Sequence, residues 1–476
     1  MRQSVRSTFL PLIALMGLAV PAAGRAALDP AAQQCVRQLA ENTIAVAAFQ
    51  RAQNVKCLRQ GAPDAQACLS ADPKGRLAAA ADRTLADVQG LCGTFPPFGA
   101  PQRLSETANA AGALHERGLV ADVFGADLQT ALDAAGGDSG AARCQTTALR
   151  RAENLVRAEL SGYLRCARQA LPTAADAAAL AACVGGDTPA VSTARNLLAR
   201  AVTERCGTLP TATLLPGRCA GETGAALATC LAARATCRSC RLIDSAGALG
   251  VDCDAVDDGL DNDSCRIPVS VSGNAIPFNG GDSRIAGAEI WVLEHPERRV
   301  VTGADGGFLF DDLEEGSEAT LVLDHPDYHA IQTGTIRLGP QGASRVTFQG
   351  VSHPIYAALA SFLAVTPDPA LCQIVTTVTR VGKSLYDPGA HGEGGAVVDL
   401  RGATPGEGPI YFNSSVLPDR SLSETSDDGG VLFLNAPVGE YAWTASKPGA
   451  AFAQLKMKCR PDVLVNASPP WGLQRQ

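Results

Sequence analysis

The sequence predicts a multidomain α plus all-β protein: disulfide-stapled helical hairpin repeats come first, followed by two antiparallel β-sandwich domains. Three observations carry this. Of the 16 cysteines, 14 lie between Cys35 and Cys265 and only Cys372 and Cys459 lie beyond. Composition shifts at the same border, from Ala- and Arg-rich before residue 250 to Gly-, Val-, Thr- and Asp-rich after it. Each side of the border also carries an internal duplication.

The chain opens with Arg2 and Arg6 ahead of an apolar core from Phe9 to Val20, then Pro21 and small residues. That order reads as a bacterial-type secretory signal over residues 1–27, cleaved between Ala22 and Ala27, because the core is too short to span a bilayer. Cleavage removes Arg2, Arg6 and Arg25 and no acid, so the formal charge of −8 becomes −8 − 3 = −11. An acidic chain disfavours a nucleic-acid partner, which requires a basic face. Ile355 to Val365, the longest later apolar run, is about half of the roughly 20 residues a spanning helix needs, so no membrane span is expected after cleavage. An even cysteine count in an exported chain reads as a disulfide set, and export places the protein in the periplasm, at the cell surface or outside the cell.

Cys35, Cys57, Cys68 and Cys92 are spaced by 22, 11 and 24 positions, and Cys144, Cys166, Cys183 and Cys206 by 22, 17 and 23. The two sets mark helical repeats over 28–140 and 141–215. In the second, Leu149, Ala152, Val156, Leu160, Tyr163 and Ala167 draw an apolar helical stripe, and Val191, Ala194, Leu198 and Ala201 draw another from about Ala190 to Arg205. Packed antiparallel, these helices bring Cys144 to Cys206 and Cys166 to Cys183. The same geometry gives Cys35 to Cys92 and Cys57 to Cys68, one of the three pairings that four cysteines allow. Alanine-rich hairpins have thin cores, and each closed loop adds about 2–4 kcal/mol.

A third cysteine-rich unit spans 216–265, and for Cys219, Cys230, Cys237, Cys240, Cys253 and Cys265 the 15 connectivities stay open. Its end, DCDAVDDGLDNDSC, holds six aspartates in fourteen residues. Asp257, Asp258, Asp261 and Asp263, with Gly259 to turn the chain, are candidate Ca2+ ligands, since calcium takes six to eight oxygens. The register excludes an EF-hand: a start at Asp252 puts Asp257 at the sixth position, where glycine is required, starts at Asp254, Asp257 or Asp258 fail on Val256, Gly259 or Leu260, and no glutamate closes a twelve-residue loop. The bland alternative is a solvated acidic linker.

Beyond the border, Asp305, Gly306, Gly307, Leu309, Phe310 and Gly316 match Asp428, Gly429, Gly430, Leu432, Phe433 and Gly439 without a gap, and EIWV at Glu289 to Val292 answers PIYF at Pro409 to Phe412. The Asp-Gly-Gly turn supplies positive φ, and alternating Phe308 and Phe310, or Val431 and Phe433, face inward on the strand that follows. A short helix from His353 separates the sandwiches within a linker over 351–371 and is expected to pack on one of them. Cys372 and Cys459 are expected to pin the second sandwich, residues 372–476.

The order GAEIWVL, TGADGGFLF, LEEG and ATLVL resembles the carboxypeptidase regulatory-like domain, over about Arg266 to Gly350. The resemblance implies a transthyretin-like (prealbumin-like, Ig-like) sandwich used for scaffolding or binding, with no catalytic residue to carry over. The second copy keeps the D-G-G-x-L-F turn and the G-E-Y strand.

None of the six histidines is followed at +3 by glutamate, and G-x-S-x-G, a P-loop and a dinucleotide fingerprint are missing. His325, His329 and His353 are the remaining candidates for a small metal site. The expectation is a non-enzymatic exported protein with a binding, adhesion or envelope-structural role, its partner an unknown protein or carbohydrate of the cell surface. A calcium-dependent surface protein and an accessory subunit of a separate secreted hydrolase are the alternatives.

Overall fold

The computed structural model describes residues 27–60, 65–278, 280, 282–384, 387, 391–402 and 404–476. The expected signal segment, apart from residue 27, lies outside the described residues.

The first half is helical: α1 (Pro30–Gln60), α2 (Ala65–Ser70), α3 (Arg76–Leu91), α4 (Leu104–Phe124), α5 (Leu128–Ala134), α6 (Ser139–Ala170), α7 (Ala178–Ala181), α8 (Pro189–Cys206), α9 (Thr211–Leu214), α10 (Gly224–Gly247) and α11 (Cys253–Asp257). Local chemistry sets the ends. Asp138 accepts from the N–H groups of Gly140 and Ala141 to start α6, and Thr188 caps α8 ahead of Pro189. The apolar stripe of α6 is buried from Leu149 to Ala167, while α8 buries Val191, Leu198 and Val202.

Disulfides join Cys35 to Cys92, Cys57 to Cys68, Cys144 to Cys206 and Cys166 to Cys183. In the third unit Cys219 bonds Cys230, Cys237 bonds Cys265 and Cys240 bonds Cys253. The helical units share one apolar core running from Leu28 to Leu249. Its centre is α10, buried on most sides, so its polar residues need internal partners. Arg238 forms a double hydrogen bond with Asp122 of α4, at 2.7 and 2.8 Å, and Thr236 donates to Glu159 of α6 at 2.8 Å.

The second half contains β1 (Pro268–Pro277), β2 (Glu289–Val292), β3 (His295–Val301), β4 (Gly307–Glu314), β5 (Glu318–Ala319), β6 (Leu321–Asp324), β7 (Ile331–Thr333), β8 (Ile336–Arg337), β9 (Ala343–Gly350), α12 (His353–Phe362), β10 (Cys372–Thr379), β11 (Val397–Arg401), β12 (Glu407–Phe412), β13 (Pro418–Asp419), β14 (Gly430–Ala436), β15 (Gly439–Ser446), β16 (Leu455–Cys459), β17 (Leu464–Asn466) and β18 (Leu473–Gln474). Two apolar cores result. One lies among β1, β2, β4, β6 and β9, and the other, centred on Phe433 and the fully buried Trp443, lies between β10–β14 and β15–β16. The second is closed by Cys372–Cys459.

The sandwiches are not separate bodies. A ten-stranded sheet follows the path β13-β12-β14-β10-β17-β7-β6-β2-β3, with β18 attached to β10. Within it β17 pairs in parallel with both β10 and β7. The sheets are therefore mixed, with antiparallel pairs joined by parallel ones.

The duplication is visible in topology. β1 pairs antiparallel with β4 and parallel with β9, as β10 pairs antiparallel with β14 and parallel with β17. Gly306 and Gly429, at φ 71° and 80°, make the matching turns. The expected match of EIWV with PIYF does not hold. β2 pairs with β6 as β11 pairs with β15, whereas β12, which carries PIYF, is bonded to β14. Pairing partners, which four residues of similar pattern do not encode, decide the equivalence.

The halves meet along a polar seam. His115 contacts Glu315 at 2.9 Å, Arg241 donates to the Glu315 carbonyl at 2.7 Å, and Arg337 pairs with Asp244 at 2.9 Å. Arg103 lies over the Trp471 ring at 4.5 Å, and the Leu104 N–H donates to the Gln476 side chain at 2.7 Å.

Candidate functional site: an apolar groove beneath a short helix

The acidic stretch is held by its own donors. Asp252 caps α11, and the buried Asp254 carboxylate accepts from the N–H groups of Asp263 and Cys265 at 2.8 and 2.7 Å and from that of Asn262. Burial pushes the Asp254 carboxyl up, but the backbone hydrogen bonds from Cys265, Asn262 and Asp263 more than offset it and leave it below the usual aspartate value.

The four candidate calcium ligands are not gathered. Asp257 is buried, paired with Arg234 at 2.8 Å and bonded by Ser264. Asp258 accepts from the Leu260 N–H at 2.9 Å and from Asn262, while Asp261 and Asp263 are exposed. Among the described residues the one group of three ligand-type atoms within 4.8 Å is Cys237, Asp257 and Cys265, and there the two sulfurs are bonded to each other. His325, His329 and His353 do not form such a group. His329 stacks on Tyr356 with ring centroids 3.9 Å apart, and His353 lies against the Pro326 carbonyl at 3.2 Å.

That stack leads to a hollow beneath α12. α12 starts at Ser352 with Pro354 in its first turn and is apolar along most of its length, yet none of its residues is buried. The helix was expected to pack on a sandwich; instead it stands off the sheet. It is tethered at its start by Tyr356 on His329 and at its end by Leu363, which docks against Ile410, Leu432 and Leu434. Between helix and sheet lies a groove of about 570 Å³.

Ile355, Leu359 and Phe362 form one wall and Val375, Leu432, Leu434 and Leu464 the floor. The floor crosses β17, β10, β14, β12 and β13, neighbours in the sheet. At about 4.8 Å per strand the groove is ~19 Å long. The repeat explains its apolar floor: Leu309, on the outer face of the first sandwich, is 54% exposed, while its counterpart Leu432 is 7% exposed and packs with Leu363, the residue after α12.

Most polar groups on the floor are engaged, although the buried Thr376 hydroxyl has no hydrogen-bond partner among the described residues. Gln373 donates to Asn435 at 2.9 Å, and the hydroxyls of Thr377 and Ser468 are 3.0 Å apart. Asp428, at one end, accepts from the Gly430 N–H at 3.0 Å, and burial pushes its carboxyl above the usual aspartate value. The mouth is rimmed by Phe362 and Val416, each 60% exposed, with Leu417 and Ile355 beside them. Such a wall takes hydrocarbon and offers little that would recognise a polar ligand.

Sequence reasoning missed this groove. The available clue was the pair of apolar clusters Ile355–Val365 and Val416–Leu417, both richer in large side chains than exposed segments require.

No family model matches the chain, and no curated protein matches it. Among solved structures, a streptococcal ancillary pilin is similar at 10% identity with a TM-score of 0.16, over 44% of this chain and 69% of the pilin chain.

Proposed function

We propose that this is an exported, non-catalytic binding protein that holds an extended acyl chain in the groove beneath α12. The observation that carries the reading is the groove itself: about 570 Å³, apolar on floor and wall, and open at a rim of exposed apolar side chains. Its volume falls in the range of small-molecule sites, about 300–1,000 Å³. A floor crossing five strands suits an elongated ligand. Export is supported by eight disulfides with no free cysteine. Within this reading the stapled helical units and the fused sandwiches form the scaffold of an adhesion or envelope protein. Carboxypeptidase regulatory-like membership of the sandwiches is part of the proposal, supported by the shared β1-β4-β9 and β10-β14-β17 pairing.

The test is titration of the oxidised protein with a fluorescent fatty acid, alongside extraction of lipid from protein purified after export. Saturable one-to-one binding is expected, with Val375→Phe, which fills the floor, weakening it at least tenfold at unchanged melting temperature. No saturable binding, or binding indifferent to V375F, overturns the proposal.

A further inference from the structure

Helix α6 presents a basic stripe that neither the fold nor the groove uses. Arg143, Arg150, Arg157, Arg165 and Arg168 are all exposed. At 3.6 residues per turn they fall within about a quarter of the helix circumference. The first four follow one another at intervals of ~10–12 Å along the axis, from a rise of 1.5 Å per residue. The two acids of α6 are both buried, Glu159 on the side opposite the stripe and Glu153 at the border of the packed face. The exposed face is therefore cationic along its whole length, in a chain of net charge −8.

A solvated helix face ordinarily mixes signs, with acid and base at i,i+4 spacing, because like charges in a row repel. Here the guanidinium groups of Arg150, Arg157 and Arg165 have no ion pair or hydrogen bond among the described residues. Arg143 donates back to the Ser139 carbonyl at 3.0 Å, and Arg168 pairs with Glu41 of α1 at 2.9 Å. The middle of the stripe is uncompensated, and its ends are anchored.

We infer that this face of α6 docks a linear anionic polysaccharide carrying about one carboxylate per disaccharide. Charge complementarity requires an anion, and a planar guanidinium fork matches a carboxylate through paired hydrogen bonds. Spacing selects the polymer. Arginines ~10 Å apart match sparse charges spaced by two linked sugar rings, whereas duplex DNA presents a charge every ~1.7 Å and would leave most of them unpaired. An anionic lipid surface is a poorer fit, because helices that lie on membranes place large apolar residues beside the basic ones, and none of the exposed large apolar side chains is on α6.

The experiment uses the full oxidised chain, with hyaluronan oligosaccharide as the probe at low ionic strength. Duplex DNA and phosphatidylglycerol vesicles serve as competitors. The comparison protein is the triple variant Arg150→Gln, Arg157→Gln, Arg165→Gln, whose changed side chains are exposed and make no hydrogen bond or ion pair among the described residues. Expected are saturable binding that weakens as salt is raised, at least a tenfold loss in the triple variant at unchanged melting temperature, and no displacement by either competitor. Absence of binding to hyaluronan, equal binding by the triple variant, or displacement by DNA or vesicles at lower concentration would each overturn the inference.

Discussion

His115 Nε2 lies 2.9 Å from Glu315 Oε1, which joins α4 of the helical half to the turn after β4 of the first sandwich. Both side chains are buried, and Ser245 and Arg241 of α10 complete the cluster. Burial pushes the Glu315 carboxyl up, but the His115 imidazole, the Ser245 hydroxyl and Arg241 hold it below the ordinary glutamate value of 4.5. A depressed carboxylate stabilises the fold above its unfolded value, and that contribution is lost as pH falls through the folded one. His115→Ala is expected to cost about 3–5 kcal/mol at pH 7, as when one member of a buried pair is removed. Denaturant titration monitored separately on helical and sheet signals checks this; a variant as stable as the parent removes the seam from the stability argument.

In the helical core the sign is opposite. Burial, with the neighbouring Glu116 charge, raises the Glu153 carboxyl well above 4.5. Glu116 and Glu159 are also raised by burial. A folded state that holds these protons more tightly than the unfolded chain gains stability as pH drops from neutrality toward 4.5. Glu153→Gln removes a carboxyl that burial disfavours in its charged form, and is expected to stabilise at pH 7 and to flatten the pH profile. Melting curves at pH 7 and pH 5 supply both readings.

The acidic loop is expected to depend on Asp254 rather than on the four candidate ligands. Asp254→Asn weakens hydrogen bonds to a charged group, worth about 1.5–3 kcal/mol each. Asp261→Asn and Asp263→Asn, both at exposed positions, should leave the melting temperature unchanged. Chelator is expected to have no effect on the parent protein, since Arg234 and Ser264 already occupy Asp257. A calcium-dependent rise in melting temperature would restore the cation reading.

Removing Cys372–Cys459 by double serine substitution opens a loop of 87 positions and is expected to cost about 2–5 kcal/mol. The loss should be confined to the sheet signal. A parallel loss of helical signal would show that the seam transmits unfolding between the halves.

The helical half was legible because its two signals are local and redundant. Apolar stripes such as Leu149 to Ala167 repeat at the helical period, and the cysteine spacing repeats with them. The Asp-Gly-Gly turns were legible for the same reason. The fusion of the sandwiches was not, because β17 is three residues long and three residues carry no alternation. Counting carboxylates could not reveal Arg234, which reaches Asp257 from the buried α10, nor the backbone N–H groups that Asp254 collects. The groove escaped because its floor brings together Val375, Leu432 and Leu464, each an ordinary strand residue in isolation.

The parallel bond between β17 and β7 also sets an order of events during synthesis. Residues 331–333 stay without their neighbour on that side until residues 464–466 have emerged. Through that interval the sheet of the first sandwich ends in an open edge at β7, the kind of template on which nascent chains join one another. Completion of the wide sheet is thus a late step, reached only once β17 has emerged, and until then the waiting edge needs shielding from other chains.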